Sequence, residues 1–237
     1  MRPDLWRRCI AEALGTGLLV AVVVGSGIAA QRLSPDDIGL QLLENAMATA
    51  AGLVALILAL GPVSGAHFNP VVTLADRFFG GLTNREVAAY IPSQLVGGCV
   101  GAVLANVMFS TATLQVSDKV RSGGGLWTAE VVATVGLLLV IFGVVRSGRA
   151  TAAPFAVGAY IGGAYFFTSS TSFANPAVTI ARTLSDTFAG IAPSSAPAFI
   201  ACQVVGLAIG VGLIAVLYPG VGDAADAVVI PMEVERT

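Results

Sequence analysis

What most constrains this chain is where its charges are absent. Six windows contain no Asp, Glu, Lys or Arg: Ala13 to Gln31, Asn45 to Ala75, Val87 to Ser117, Val131 to Val145, Ala150 to Ala181 and Thr187 to Gly222. An α-helix needs about 20 mostly apolar residues to cross a bilayer. The windows predict six crossings in an all-α membrane protein, near residues 8–30, 39–61, 86–109, 127–146, 150–168 and 197–218. Composition agrees, with 56% hydrophobic and 11% charged residues, where soluble domains average roughly 25% charged. A formal net charge of −2 supplies no basic face, so nucleic acid is excluded as a partner. Cys9, Cys99 and Cys202 are odd in number and far apart in apolar stretches. They read as buried thiols, and neither a metal nor a cofactor is expected.

The apolar stretch after Arg2, Arg7 and Arg8 is too long for the core of a cleavable signal, so the first helix is expected to stay in the membrane. An even number of crossings puts both termini on one side. With that side inside, Arg2, Arg7, Arg8, Arg77, Arg85, Arg146, Arg149 and Arg236 are cytoplasmic, while Arg32, Lys119, Arg121 and Arg182 are not. This bias predicts a multi-pass protein of the cell (inner) membrane with both termini cytoplasmic.

Two windows, Asn45 to Ala75 and Ala150 to Ala181, hold more than one crossing. In each, a helix's worth of apolar residues is followed by a polar, small-residue stretch and a short apolar remainder. A remainder of about ten residues reaches roughly 15 Å, half a bilayer. Irregular backbone survives at that depth only where protein or a water-filled cavity satisfies it, so both remainders are predicted to be re-entrant half-helices.

The halves of the chain also repeat. Ala11-Glu12 parallels Ala129-Glu130, Asn69-Pro70-Val71-Val72-Thr73 parallels Asn175-Pro176-Ala177-Val178-Thr179, and Gln94 parallels Gln203, at offsets of 118, 106 and 109 residues. Each unit supplies an odd number of crossings, so the second enters the membrane inverted. In inverted repeats, interrupted helices at matching positions point to the substrate path. Asn before Pro is a strong helix start, a capping side chain followed by a preorganised first residue. Asn69 and Asn175 would then meet at mid-bilayer, backed by two positive helix ends that disfavour cations. The preceding extended segments would line the path with carbonyls.

Over essentially its full length the chain resembles the aquaporin and aquaglyceroporin family, on Ser64-Gly65-Ala66-His67-Phe68-Asn69-Pro70-Val71-Val72-Thr73, on Phe173-Ala174-Asn175-Pro176-Ala177-Val178-Thr179, and on the two Ala-Glu segments. The resemblance implies a single channel domain over 1–237. A first inverted repeat spans 1–115, a second 126–220, and a cytoplasmic tail 221–237. It also implies a homotetramer in the lipid bilayer passing water or small neutral solutes, and pore carbonyls from Gly65, Ala66, His67, Phe68, Thr171 and Phe173. Glu12 and Glu130 could relay protons or brace the loops; the resemblance implies braces. For His67, a pH gate stands against a backbone pore contact.

Two departures bear on the solute. Val71 stands where the family usually has Ala, and Val178 stands where it usually has a filter Arg. Arg182, four residues on, is expected to lie too far along the half-helix to replace it, since four residues rise about 6 Å. By family spacing the other filter positions fall on Thr49, Gly163 and Ser172. The expected mouth is wide, mildly polar and without a cation, open to water, glycerol-like polyols and metalloid hydroxides such as arsenous acid. It resembles that of a bacterial subgroup associated with arsenic handling. A water-selective channel is the alternative within transport. A membrane enzyme lacks any visible acid–base pair, metal cluster or activated nucleophile, and an ion-coupled transporter would need an ionisable residue at the Asn-Pro junctions.

Overall fold

A computed structural model describes residues 3–220; the proposed tail 221–237, with Arg236, and Arg2 lie outside the described residues. The described chain is helical: α1 Leu5–Leu33, α2 Ile38–Ser64, α3 Pro70–Phe79, α4 Asn84–Met108, α5 Gly124–Arg146, α6 Ala153–Phe167, α7 Pro176–Ala181 and α8 Ala196–Leu217, with 3-10 turns at Ala150–Ala152 and Arg182–Leu184. Six of these helices, with the first 3-10 turn counted into α6, are long and apolar enough to cross a membrane. Large apolar side chains such as Leu14, Leu18, Val96, Val100 and Leu104 are exposed on their outer faces, the surface that a bilayer covers.

Local chemistry sets the helix starts. Asp37 caps α2 by accepting the Leu40 N–H at 2.9 Å. Thr83 and Glu86 form a reciprocal capping box on α4. Asn69 and Asn175 cap α3 and α7, each followed by Pro at the first helical position. Arg8 is buried inside this first helix, its Nη1 2.5 Å from Glu86 Oε1 and its Nε 2.7 Å from the Tyr90 hydroxyl, while its Nη2 is buried without a partner among the described residues.

The element order repeats: α1 packs on α2 and α4 as α5 packs on α6 and α8, and α2 lies against α6 to join the halves. Close approach of α1 and α4 depends on glycine. A Cβ on Gly97 would lie 2.0 Å from the Ala13 carbonyl oxygen, and one on Gly101 would lie 2.0 Å from that of Gly17. Lipid supplies no hydrophobic drive between helices, so such small-residue contacts carry the packing. Short α3 and α7 enter the bundle from opposite ends, and α7 has only 6 helical residues before its 3-10 turn, against 10 in α3. The three cysteines are free and half-buried, less enclosed than their apolar surroundings predict.

Candidate functional site

The loops before α3 and α7 are built alike. Gly65, Ala66 and Phe68 have left-handed backbones at φ 86°, 50° and 50°, and Thr171, Ser172 and Ala174 repeat them at 64°, 52° and 45°. Non-glycine residues in this region cost about 1–2 kcal/mol each, so the loops need clamps. Two buried carboxylates supply them. Glu12 accepts from Ser64 Oγ at 2.6 Å, the backbone N–H groups of His67 and Phe68 at 3.0 and 2.7 Å, and Gln94 Nε2 at 2.7 Å. Glu130 accepts from the N–H groups of Phe173 and Ala174, both at 2.9 Å, and from Gln203 Nε2 at 2.7 Å.

With the loops held, the half-helix tips meet. Asn69 Nδ2 donates to the Ala174 carbonyl and Asn175 Nδ2 to the Phe68 carbonyl, each at 2.8 Å. Their Oδ1 atoms cap their own helices. An amide carries two N–H groups, so each Asn keeps one beyond this reciprocal pair. Phe68's carbonyl is correspondingly half-used by Asn175. Pro70, Val71, Pro176 and Ala177 are buried behind the tips and do not line the cavity described next.

A cavity of ≈ 170 Å³ runs past both tips. At the bundle end that carries Leu5 and Leu217 it is walled by Ile57, Pro62, Val145 and Ala150. It passes Gly65, Ala66, His67, Phe68, Asn69 and Asn175, and continues to Thr49, Tyr165, Ser172, Phe173, Val178 and Arg182. Ser172 Oγ is buried without a protein partner, and Thr49 Oγ1 lies 3.1 Å from the Tyr165 hydroxyl. His67 packs its ring on Tyr90, with Nδ1 3.1 Å from Thr73 Oγ1.

Three expectations are corrected. Gly163 is exposed, with open space around its Cβ position, and does not line the cavity; Ile161 and Tyr165 do. Two residues along a helix turn about 200°, so position 163 faces away from a wall formed by 161 and 165. Thr171 is not a lining residue either. The mouth does carry a cation: Arg182 lines the cavity at 2% exposure. Helical side chains lean back toward the helix N-terminus, which recovers the rise that was expected to remove it.

Arg182 belongs to a cationic group that sequence spacing did not reveal. Its Cζ sits 3.5 Å from the Phe173 ring centroid and its Nε donates to the Ala189 carbonyl. Arg121 lies 5.2 Å from the same centroid and donates to the Gly190 carbonyl at 2.8 Å. Lys119 Nζ donates to the Phe188 carbonyl at 2.8 Å. Burial holds Arg121 down to about 10. Lost hydration, then repulsion from Arg121 and Arg182, holds Lys119 down to about 8 against the pull of Asp186.

Six apolar spans enclosing two half-helices that meet beside an internal cavity define a polytopic channel. Residues 1–173 match the profile described as "Major intrinsic protein". The chain is 52% identical over 203 residues to "Aquaglyceroporin AqpS" of Rhizobium meliloti (strain 1021), covering 86% of each. It is 30% identical over 216 residues to "Probable aquaporin AqpM" of Archaeoglobus fulgidus, covering 81% of this chain and 88% of that one. The structure of the aquaglyceroporin from Plasmodium falciparum superposes with a TM-score of 0.72 at 20% identity, covering 93% of this chain and 99% of that one, a likeness of fold. The chain belongs to the major intrinsic protein family. It is a multi-pass membrane channel and not an enzyme.

Proposed function

We propose that this protein is a passive channel for small uncharged solutes: water, glycerol-like polyols and neutral metalloid hydroxides such as arsenous acid. The observation that carries the reading is the cavity itself, which passes both Asn amides and ends in a mouth that combines the small side chains of Thr49, Ser172 and Val178 with Tyr165, Phe173 and Arg182. Such a mouth offers hydrogen bonds to a neutral solute. A relative named an aquaglyceroporin, with AqpS at 52% identity, favours this over water selectivity. Metalloid passage rests on Val178 standing where a constricting Arg would otherwise lie. Glu12 and Glu130 act as loop braces, and carbonyls of Gly65, Ala66, His67 and Phe173 line the path.

The functional unit is a homotetramer in the cell (inner) membrane, with one path per chain. Each chain is a single channel domain of two inverted repeats, 1–115 and 126–220, and the residues 221–237 form a cytoplasmic tail. Cytoplasmic termini are supported by the basic groups at that end, where Arg8 pairs with Glu86 and Arg77 with Asn84. The test is stopped-flow light scattering on proteoliposomes given water, glycerol, urea and arsenous acid gradients. Non-saturating flux without ion coupling is expected. Flux of water alone, or saturating flux, would overturn the reading.

A further inference from the structure

Arg182 is the single Lys, Arg, Asp or Glu on the cavity wall among the described residues. It is also rigidly held. Its Nε is committed to the Ala189 carbonyl and its Cζ sits over the Phe173 ring, which packs edge-on with Phe199 at 5.1 Å and whose backbone N–H is held by Glu130. Among the described residues its four Nη hydrogens have no protein acceptor, and none of the ion pairs includes it. Nearby carboxylates are engaged elsewhere, Glu130 on the loop amides and Asp186 on Ser117 and Asp118. The charge is therefore held on the cavity wall with no hydrogen-bonded carboxylate among the described residues, and Glu130 acts on it only through space. An arginine fork presents several donors in one plane, and Ser172 Oγ and the Thr49–Tyr165 hydroxyl pair stand on the same cavity.

We propose that Arg182 is the specificity-determining cation of this channel, placed one turn beyond Val178 and folded back to the mouth, where it selects neutral solutes bearing acceptor oxygens and repels cations. The Phe173 ring and the Ala189 carbonyl hold the fork in place. The assignment rests on the channel reading above and adds a residue and a solute chemistry to it.

The experiment compares wild type, Arg182→Met, Arg182→Lys and the double variant Val178→Arg/Arg182→Met in proteoliposomes. It reads the glycerol-to-water permeability ratio, which does not depend on the amount of protein incorporated, and potassium leak under a valinomycin-free gradient. Arg182→Met is expected to lower the ratio several-fold, because glycerol loses the donors that its hydroxyl oxygens accept from. It should raise the leak on the order of a hundredfold, the Boltzmann factor for unit charges about 6 Å apart at an effective dielectric near 20. Arg182→Lys keeps the charge but loses the fork, so the leak stays at background while the ratio moves. The double variant should restore ion exclusion. An Arg182→Met protein that conducts with the wild-type ratio and no leak overturns the assignment, as does a double variant that leaks like the single one. Wild type that passes neither solute overturns the channel reading and this assignment with it.

Discussion

Replacing Glu12 by Gln tests whether a buried carboxylate can serve as the scaffold of a loop. Both Glu12 oxygens face donors only, two on Oε1 and two on Oε2. An amide accepts at one oxygen alone, so whichever way Gln turns, its NH2 confronts two donors. Hydrogen bonds to a charged group contribute roughly 1.5–3 kcal/mol each, so losing two costs roughly 3–6 kcal/mol. Relief from burying a charge returns part of that, leaving about 2–4 kcal/mol. For a domain of this size the midpoint should fall by roughly 5–15 °C. The clamp on left-handed Ala66 and Phe68 goes with it, so flux should drop in the same variant. The assays are thermal unfolding of purified protein in detergent and light-scattering permeability on matched vesicles. A Gln variant that melts and conducts like wild type would refute the brace. Unchanged melting with a shifted pH dependence of flux would favour a proton relay instead.

Other outcomes follow from single contacts. Gly97→Val should yield no folded protein by size-exclusion chromatography, because its Cβ would fall 2.0 Å from the Ala13 carbonyl oxygen at the α1–α4 crossing. Tyr165→Phe removes the hydroxyl pair with Thr49, and should cost about 0.5–1.5 kcal/mol of stability while raising the glycerol-to-water ratio. Val178→Arg should cut flux of the bulkier solutes more than that of water; equal loss of both would reject Val178 as a determinant. Lys119 titrates near 8 when folded against 10.5 ordinarily, so the folded state binds fewer protons between those values. Stability should therefore rise with pH through that window, and Lys119→Met should flatten the slope in pH-dependent melting.

The spans were legible because charge absence is a one-dimensional signal, and six apolar helices follow from it directly. Asn69-Pro70 and Asn175-Pro176 were legible because capping is local: the residue that caps is the residue that stands in the sequence. The mouth was harder to read. Spacing from Asn175 points to Gly163, but α6 is joined to Asn175 by an irregular loop whose length sets the helical phase. A miscount by two residues puts the position on the opposite face, as Ile161 and Tyr165 demonstrate. The Cα position of Arg182 alone points away from the mouth, but a long side chain leaning toward the helix start covers one turn. Arg121, from the loop before α5, meets Phe173 only through tertiary structure, and no spacing rule could have joined them.

The path itself can be tested with thiols. In a background where Cys9, Cys99 and Cys202 are replaced by Ala, one cysteine is introduced at Ile161, which lines the cavity, or at Gly163, which is exposed two residues away. Each protein is reconstituted and treated with a charged methanethiosulfonate while glycerol flux is followed. The account predicts that reagent stops flux through Ile161→Cys and leaves Gly163→Cys conducting. Block at Gly163→Cys with Ile161→Cys still conducting would mean that solutes do not cross where this cavity lies.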